Sequence, residues 1–147
     1  MLRLSGERTI PVKLLLVGMG KLQSEEYGEA RKIFQGVLSA SMDSVGTALE
    51  EEGGGPAVLF FTSLAVYSLA LYLNTVILEK ISEGDEQAAS FFAVKLSGLV
   101  DALNGIIDPL LKKCAEQREE MRADVETLDD LSNFIRDALN KSGVPTF

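Results

Sequence analysis

Apolar residues recur along most of this chain at alternating steps of three and four, the interval that gathers side chains on one face of an α-helix. After Ser24 the stripe runs Ala30, Phe34, Val37, Ser41, Val45 and Ala48. After the turn-like "SEGDEQ" it runs Ala89, Phe92, Leu96, Leu99, Leu103, Ile106 and Leu110, while Lys95, Asp101, Asn104, Asp108 and Lys112 take other positions. A shorter stripe of Leu128, Leu131, Ile135 and Leu139 follows Thr127, with Asp130 placed for a capping-box-like contact and Gly143 and Pro145 as stop signals.

Local chemistry sets the expected boundaries. Ser24 is expected to cap the second helix, with Glu25 and Glu26 at the positive end of its dipole. That helix should end at Glu50-Glu51-Glu52, where three carboxylates meet the negative end of the dipole. Gly28, Gly36 and Gly46 weaken it and suggest that a neighbour approaches closely. Gly53-Gly54-Gly55 and Pro56 then break the chain before a third helix. Pro109 cannot donate to the carbonyl of Gly105, so the fourth helix should kink or restart there, with Asp108 as cap. From Lys112 to Glu126, the pairs Lys112/Glu116 and Arg122/Glu126 suit a solvated helical extension.

The segment "VKLLLVGMGKLQ" is the one candidate strand, and its Gly18-x-Gly20 resembles part of a dinucleotide-binding turn. The third glycine of that fingerprint is replaced by Gln23, and a helical pattern follows where a second strand is needed. Pro11 to Leu22 is therefore read as a first helix. The basic residues before this apolar run imitate a secretion signal, but no A-x-A-like site follows.

The stretch from Gly53 to Leu78 holds no charged residue, and its length is enough to span a bilayer. Its near flanks are acidic, Lys80 is the only nearby cation, and Tyr67 and Tyr72 lie in mid-run. A membrane span shows the opposite pattern, with cations on one flank and aromatic residues at the edges. The other amphipathic helices also need an apolar partner. A helix buried among them is the preferred reading, and a single-span membrane anchor is the alternative.

This central helix is two-sided. Leu59, Thr62, Val66, Leu69, Leu73 and Val76, widened by Val58, Ala65 and Ile77, make a face of hydrocarbon. The other side mixes Phe60, Phe61, Leu64 and Leu71 with Ser63, Tyr67, Ser68, Tyr72, Asn74 and Thr75. Aromatic, small-polar and uncharged residues are typical of subunit contacts, so Phe60, Leu64, Tyr67, Leu71 and Tyr72 form the expected oligomer interface of a twofold dimer.

Composition narrows the function classes. The net charge of −8 is unevenly placed, because Arg3, Arg8, Lys13 and Lys21 outweigh Glu7 near the start. An acidic body repels phosphate backbones, so no nucleic-acid partner is expected. The chain has no histidine, which removes Ser–His and Cys–His nucleophiles and histidine metal sites. Cys114 is the single cysteine, so no internal disulfide forms, and a cytoplasmic location is expected.

A carboxylate-only magnesium site acting on nucleotides or diphosphates is the remaining enzymatic alternative. Its candidate pairs are Glu26 and Glu29, Glu116 and Glu119, and Glu126 and Asp129, each of which also suits a solvated face. A small-ligand pocket beside Pro109 is a further alternative. The expectation is a single domain over 1–147: an all-α antiparallel bundle of three long helices and two or three shorter ones. It has no catalytic or metal-binding residues and no cofactor, and acts by self-association and contact with an unidentified protein.

Overall fold

A computed structural model describes residues 6–50, 55–117 and 133. Among these residues the chain is helix joined by tight turns, and no strand occurs. Helix α1 spans Gly6–Gln23, α2 spans Tyr27–Glu50, α3 spans Gly55–Ser82 and α4 spans Glu86–Ala102. A π-helical segment, Leu103–Ile107, leads into α5, Asp108–Gln117. The chain is an all-α bundle, as the periodicity requires. The expected last helix from Thr127, with Leu128, Leu131, Ile135 and Leu139, lies outside the described residues, as do Glu51, Glu52, Glu119, Glu126 and Asp129.

The stretch read as helix or strand is helical, and α1 begins five residues ahead of Pro11. Its glycines play different roles. A Cβ on Gly18 would lie 2.5 Å from Cε1 of Phe34 and 3.1 Å from Cγ2 of Ile33, so α1 and α2 meet where only hydrogen fits. Gly20 has nothing within 4 Å of that position, and neither do Gly28, Gly36 or Gly46. Among the described residues, no close neighbour of the kind expected from the α2 glycines occurs. The glycine that permits close packing belongs to α1.

Ser24 does not cap α2. It closes α1, and its backbone N–H donates to the carbonyl of Gly20 at 3.1 Å. Glu25 follows with φ of 62°, donating to Leu22 O at 3.0 Å, while Glu26 donates to Lys21 O at 2.9 Å. These two bonds satisfy carbonyls that the helix end leaves free, and they reverse the chain in a Schellman turn. The carbonyl of Glu26 then accepts from Ala30 N at 3.0 Å and starts α2.

The α3–α4 turn repeats this geometry. Gly84, at φ 80°, donates to Ile81 O at 3.0 Å, and Asp85 donates to Lys80 O at 2.9 Å. Asp85 Oδ1 accepts from Ala88 N at 3.1 Å and caps α4. The two turns differ in one respect: glycine occupies the left-handed position in the second and glutamate in the first.

Helix α3 packs against α2, α4 and, less extensively, α1, which makes it the hub of the bundle. Arg31 near the start of α2 grips Glu79 near the end of α3, with Nε to Oε1 at 2.8 Å and Nη2 to Oε2 at 3.3 Å. This ion pair, hydrogen-bonded through Nη2, ties the start of α2 to the end of α3. The expected α2 stripe is buried at Ala30, Phe34, Val37, Ser41 and Ala48, with Val45 half-buried.

The α4 stripe is rotated from its expected position. Ala89 and Leu96 are buried as expected, but Ala93, Val100 and Ile107 replace Phe92, Leu99 and Ile106 in the core. Small Ala89 and Ala93 let α4 lie close to α3. The shift is already in place at Ala93 and Val100, ahead of the π-helical segment. That segment's position before Pro109 follows from the missing proline N–H, and the chain restarts as α5 at Asp108, as expected.

Two outcomes test this packing. Gly18→Ala should lower stability by about 1–2 kcal/mol in urea melts, since the buried Phe34 ring must move, whereas Gly20→Ala should raise it by up to about 1 kcal/mol. Equal effects would refute the close α1–α2 contact. Glu25→Gly should add about 0.5–1 kcal/mol and Gly84→Ala should remove about 1 kcal/mol, because both positions hold the left-handed backbone.

Candidate functional site

The two faces of α3 are used in the reverse of the expected sense. Phe60, Leu64, Tyr67 and Leu71 each have 0% of their surface exposed, buried in the core of their own chain. Tyr72 is half-buried at the core margin. The first four are therefore closed to a second subunit in this fold, and they correct the interface expected from composition.

Hydrogen bonding explains how a face rich in hydroxyls can be buried. Ser63 Oγ donates to Leu59 O at 2.8 Å, Ser68 Oγ to Leu64 O at 2.6 Å and Thr75 Oγ1 to Leu71 O at 2.8 Å. Each hydroxyl is satisfied by the carbonyl four residues back, on its own helix. Once so bonded, these side chains ask nothing polar of α1, α2 or α4. Their small size leaves room for the rings of Phe60 and Phe61, which pack edge to face at 5.3 Å.

The hydrocarbon face is the one left partly open. Val58, Leu59, Thr62, Ala65, Val66 and Leu69 are half-exposed, and only toward the helix end do Leu73 and Val76 become buried. Beside it, α2 contributes Leu38, Met42 and Val45. Together they line an open groove of about 320 Å3 formed by Leu38, Met42, Val45, Thr62, Ala65, Val66 and Leu69. No lining residue is charged. Met42 is 61% exposed, and Leu49, one turn on from Val45, is 68% exposed.

The α2 contribution has its own signal in the sequence: Leu38, Met42, Val45 and Leu49 form a second stripe beside the first. With α1 and α3 packed on the rest of α2, this stripe stays half-exposed at Leu38 and Val45 and exposed at Met42 and Leu49. The groove's residues can bind by apolar contact, and they offer no nucleophile, acid or base.

A second concavity, of about 500 Å3, lies at the end of the bundle, among Glu25, Glu26, Tyr27, Gly28, Glu29, Glu79, Ser82 and Glu83. Its carboxylates are largely matched by cations. Lys21 Nζ lies 3.6 Å from Glu26 Oε2 and 3.1 Å from Glu29 Oε2, Arg31 holds Glu79, and Lys80 lies 3.4 Å from Glu83 Oε2. The hydrogen bond to Glu29, aided by the charge of Glu26, raises the Lys21 pKa above its ordinary value. Glu26 and Glu29 thus face a lysine, an arrangement suited to an ion-pair network.

Glu116 is exposed on α5, and its expected partner Glu119 lies outside the described residues. Pro109 and Leu110, beside which a ligand pocket was an alternative, are both exposed. Among the described residues no group of three or more Cys, Asp or Glu side chains is placed to hold a metal ion.

The chain matches no protein-family model, no curated protein and no solved structure. Its functional reading therefore rests on the chemistry of its own surface.

Leu64→Ala should cost about 2–5 kcal/mol in urea melts, as a deletion from a sealed core, while Met42→Ser should change stability by about 0.5 kcal/mol or less. A Leu64→Ala protein of unchanged stability would return Leu64 to the surface and restore the composition-based interface.

Proposed function

We propose that this chain is a non-catalytic helical bundle that works by contact, associating with a second copy of itself and through that assembly with other proteins. The single observation that carries this reading is the uncharged groove between α2 and α3. A chain of net charge −8 keeps copies apart wherever its surface is acidic. An apolar surface bare of charge is where association gains most from removing water and loses least to repulsion. A cytoplasmic setting fits a lone cysteine and an acidic surface.

Membrane attachment is the second reading, and α4 favours it. Ala57–Ser82 and Glu86–Ile107 are both long and apolar enough to cross a bilayer, and only 25% of the second is buried. Phe91 and Val94 stand outward on that helix, although the Lys95 ammonium lies 5.3 Å from the centre of the Phe91 ring. Against insertion of the pair stands their connecting turn, where Glu83, Asp85 and Glu86 would have to cross or remain in lipid.

Light scattering in detergent-free buffer tests the proposal. The expected result is a soluble species of twice the 15.9 kDa chain mass. A monomer at every concentration would refute self-association, and protein that stays with lipid after carbonate washing would favour the membrane reading.

A further inference from the structure

The exposed side of α2 carries a pattern that names the partner's geometry. Gln35, Ser39, Met42, Gly46 and Leu49 follow steps of four and three, are all exposed and carry no charge. They border the groove and extend its uncharged surface across the helix. Among the described residues, nothing packs on Gly46. Nothing lies within 4 Å of its Cβ position, and among the described residues the positive-φ glycine is Gly84, so its backbone does not require glycine. A glycine at such a place costs helix stability, and it lets another helix approach closely.

The charges at the ends of this face have opposite signs. Lys32 and Glu50 are both exposed. They stand about five helical turns apart, roughly 27 Å, and so lie on the same shoulder of α2. A twofold contact must be complementary to itself. If α2 meets α2 antiparallel at the level of Ser41 and Met42, Lys32 of each copy lies across from Glu50 of the partner subunit. The uncharged stripes then face one another between these two pairs. A parallel twofold contact would instead put the two Lys32 at one level and the two Glu50 at the other, on opposite shoulders and with no partner of opposite sign.

We infer that the second copy docks on this face, with the two α2 helices antiparallel about a twofold axis near Met42 and with Lys32 opposite Glu50 of the partner subunit. This rests on the self-association proposed above and gives it a surface and a register. Asp43 is exposed on the same shoulder close to the axis, so the two copies of Asp43 oppose each other weakly.

Sedimentation equilibrium of the full chain at low salt tests the arrangement. Lys32→Glu and Glu50→Lys should each weaken the dimer roughly tenfold, because two attractions become two repulsions. The double reversal, Lys32→Glu with Glu50→Lys, should return the dimer constant to within about twofold of the unaltered chain. Asp43→Asn should tighten it. All three positions are exposed, and urea melts of each variant should match the parent within about 0.5 kcal/mol.

Single reversals without effect, or a double reversal that does not recover, would overturn the antiparallel arrangement while leaving self-association standing. An unaltered chain that is monomeric throughout would overturn both.

Discussion

The fold depends on shielding one helix from water. From Gly55 to Leu78, α3 has no charged side chain, so it has no strip that prefers solvent. The bundle meets this constraint by enclosing the side with the greatest volume. Phe60, Leu64, Tyr67 and Leu71 bring rings and branched chains inward, and Ser63, Ser68 and Thr75 come with them because each hydroxyl bonds to its own helix. Burial of a hydroxyl is costly only when its hydrogen bond is lost. Here none of the three loses it, and these three side chains can be buried as apolar ones are.

The other elements follow from that choice. Helix α2 lies antiparallel to α3 with Arg31 on Glu79, and α1 folds back onto α2 where Gly18 admits the Phe34 ring. Helix α4 covers a further side through small Ala89 and Ala93. What remains is the hydrocarbon side between Val58 and Leu69, half-covered by α2. The surface that invites association is thus a remainder of the core problem: the bundle covers the aromatic side of α3 except at half-buried Tyr72, and its aliphatic side in part.

Much of this was legible in the sequence, and the failures have physical causes. The α2 stripe was readable because Phe34 and Val37 stand out from polar neighbours such as Lys32, Gln35 and Asp43. On α3 no such contrast exists, so the choice of inner face had to be made from side-chain polarity, and self-bonded hydroxyls made that a poor guide. The α4 stripe was ambiguous because Phe91, Phe92, Ala93 and Val94 are consecutive apolar residues, so the inner face could be set one residue away.

The start of α2 was misplaced for a different reason. Ser24 and the two glutamates after it fit a helix start, yet the left-handed Glu25 makes them a helix end, a conformation that glutamate seldom marks. The groove lay within reach, since Leu38, Met42 and Leu49 form a second stripe that a single-face reading of α2 passes over.

The inward orientation of the aromatic and hydroxyl side of α3 is tested most directly by thiol reactivity. In a Cys114→Ser background, single cysteines at Ser63 and Ser68 are nearly isosteric with the native side chains, and those at Thr62 and Ala65 lie on the half-exposed other face. In protein diluted until it is monomeric, the account predicts that cysteines at 62 and 65 react with a water-soluble thiol reagent in native buffer, while those at 63 and 68 stay protected until the protein unfolds. Rapid labelling at 63 and 68, with protection at 62 and 65, would contradict it.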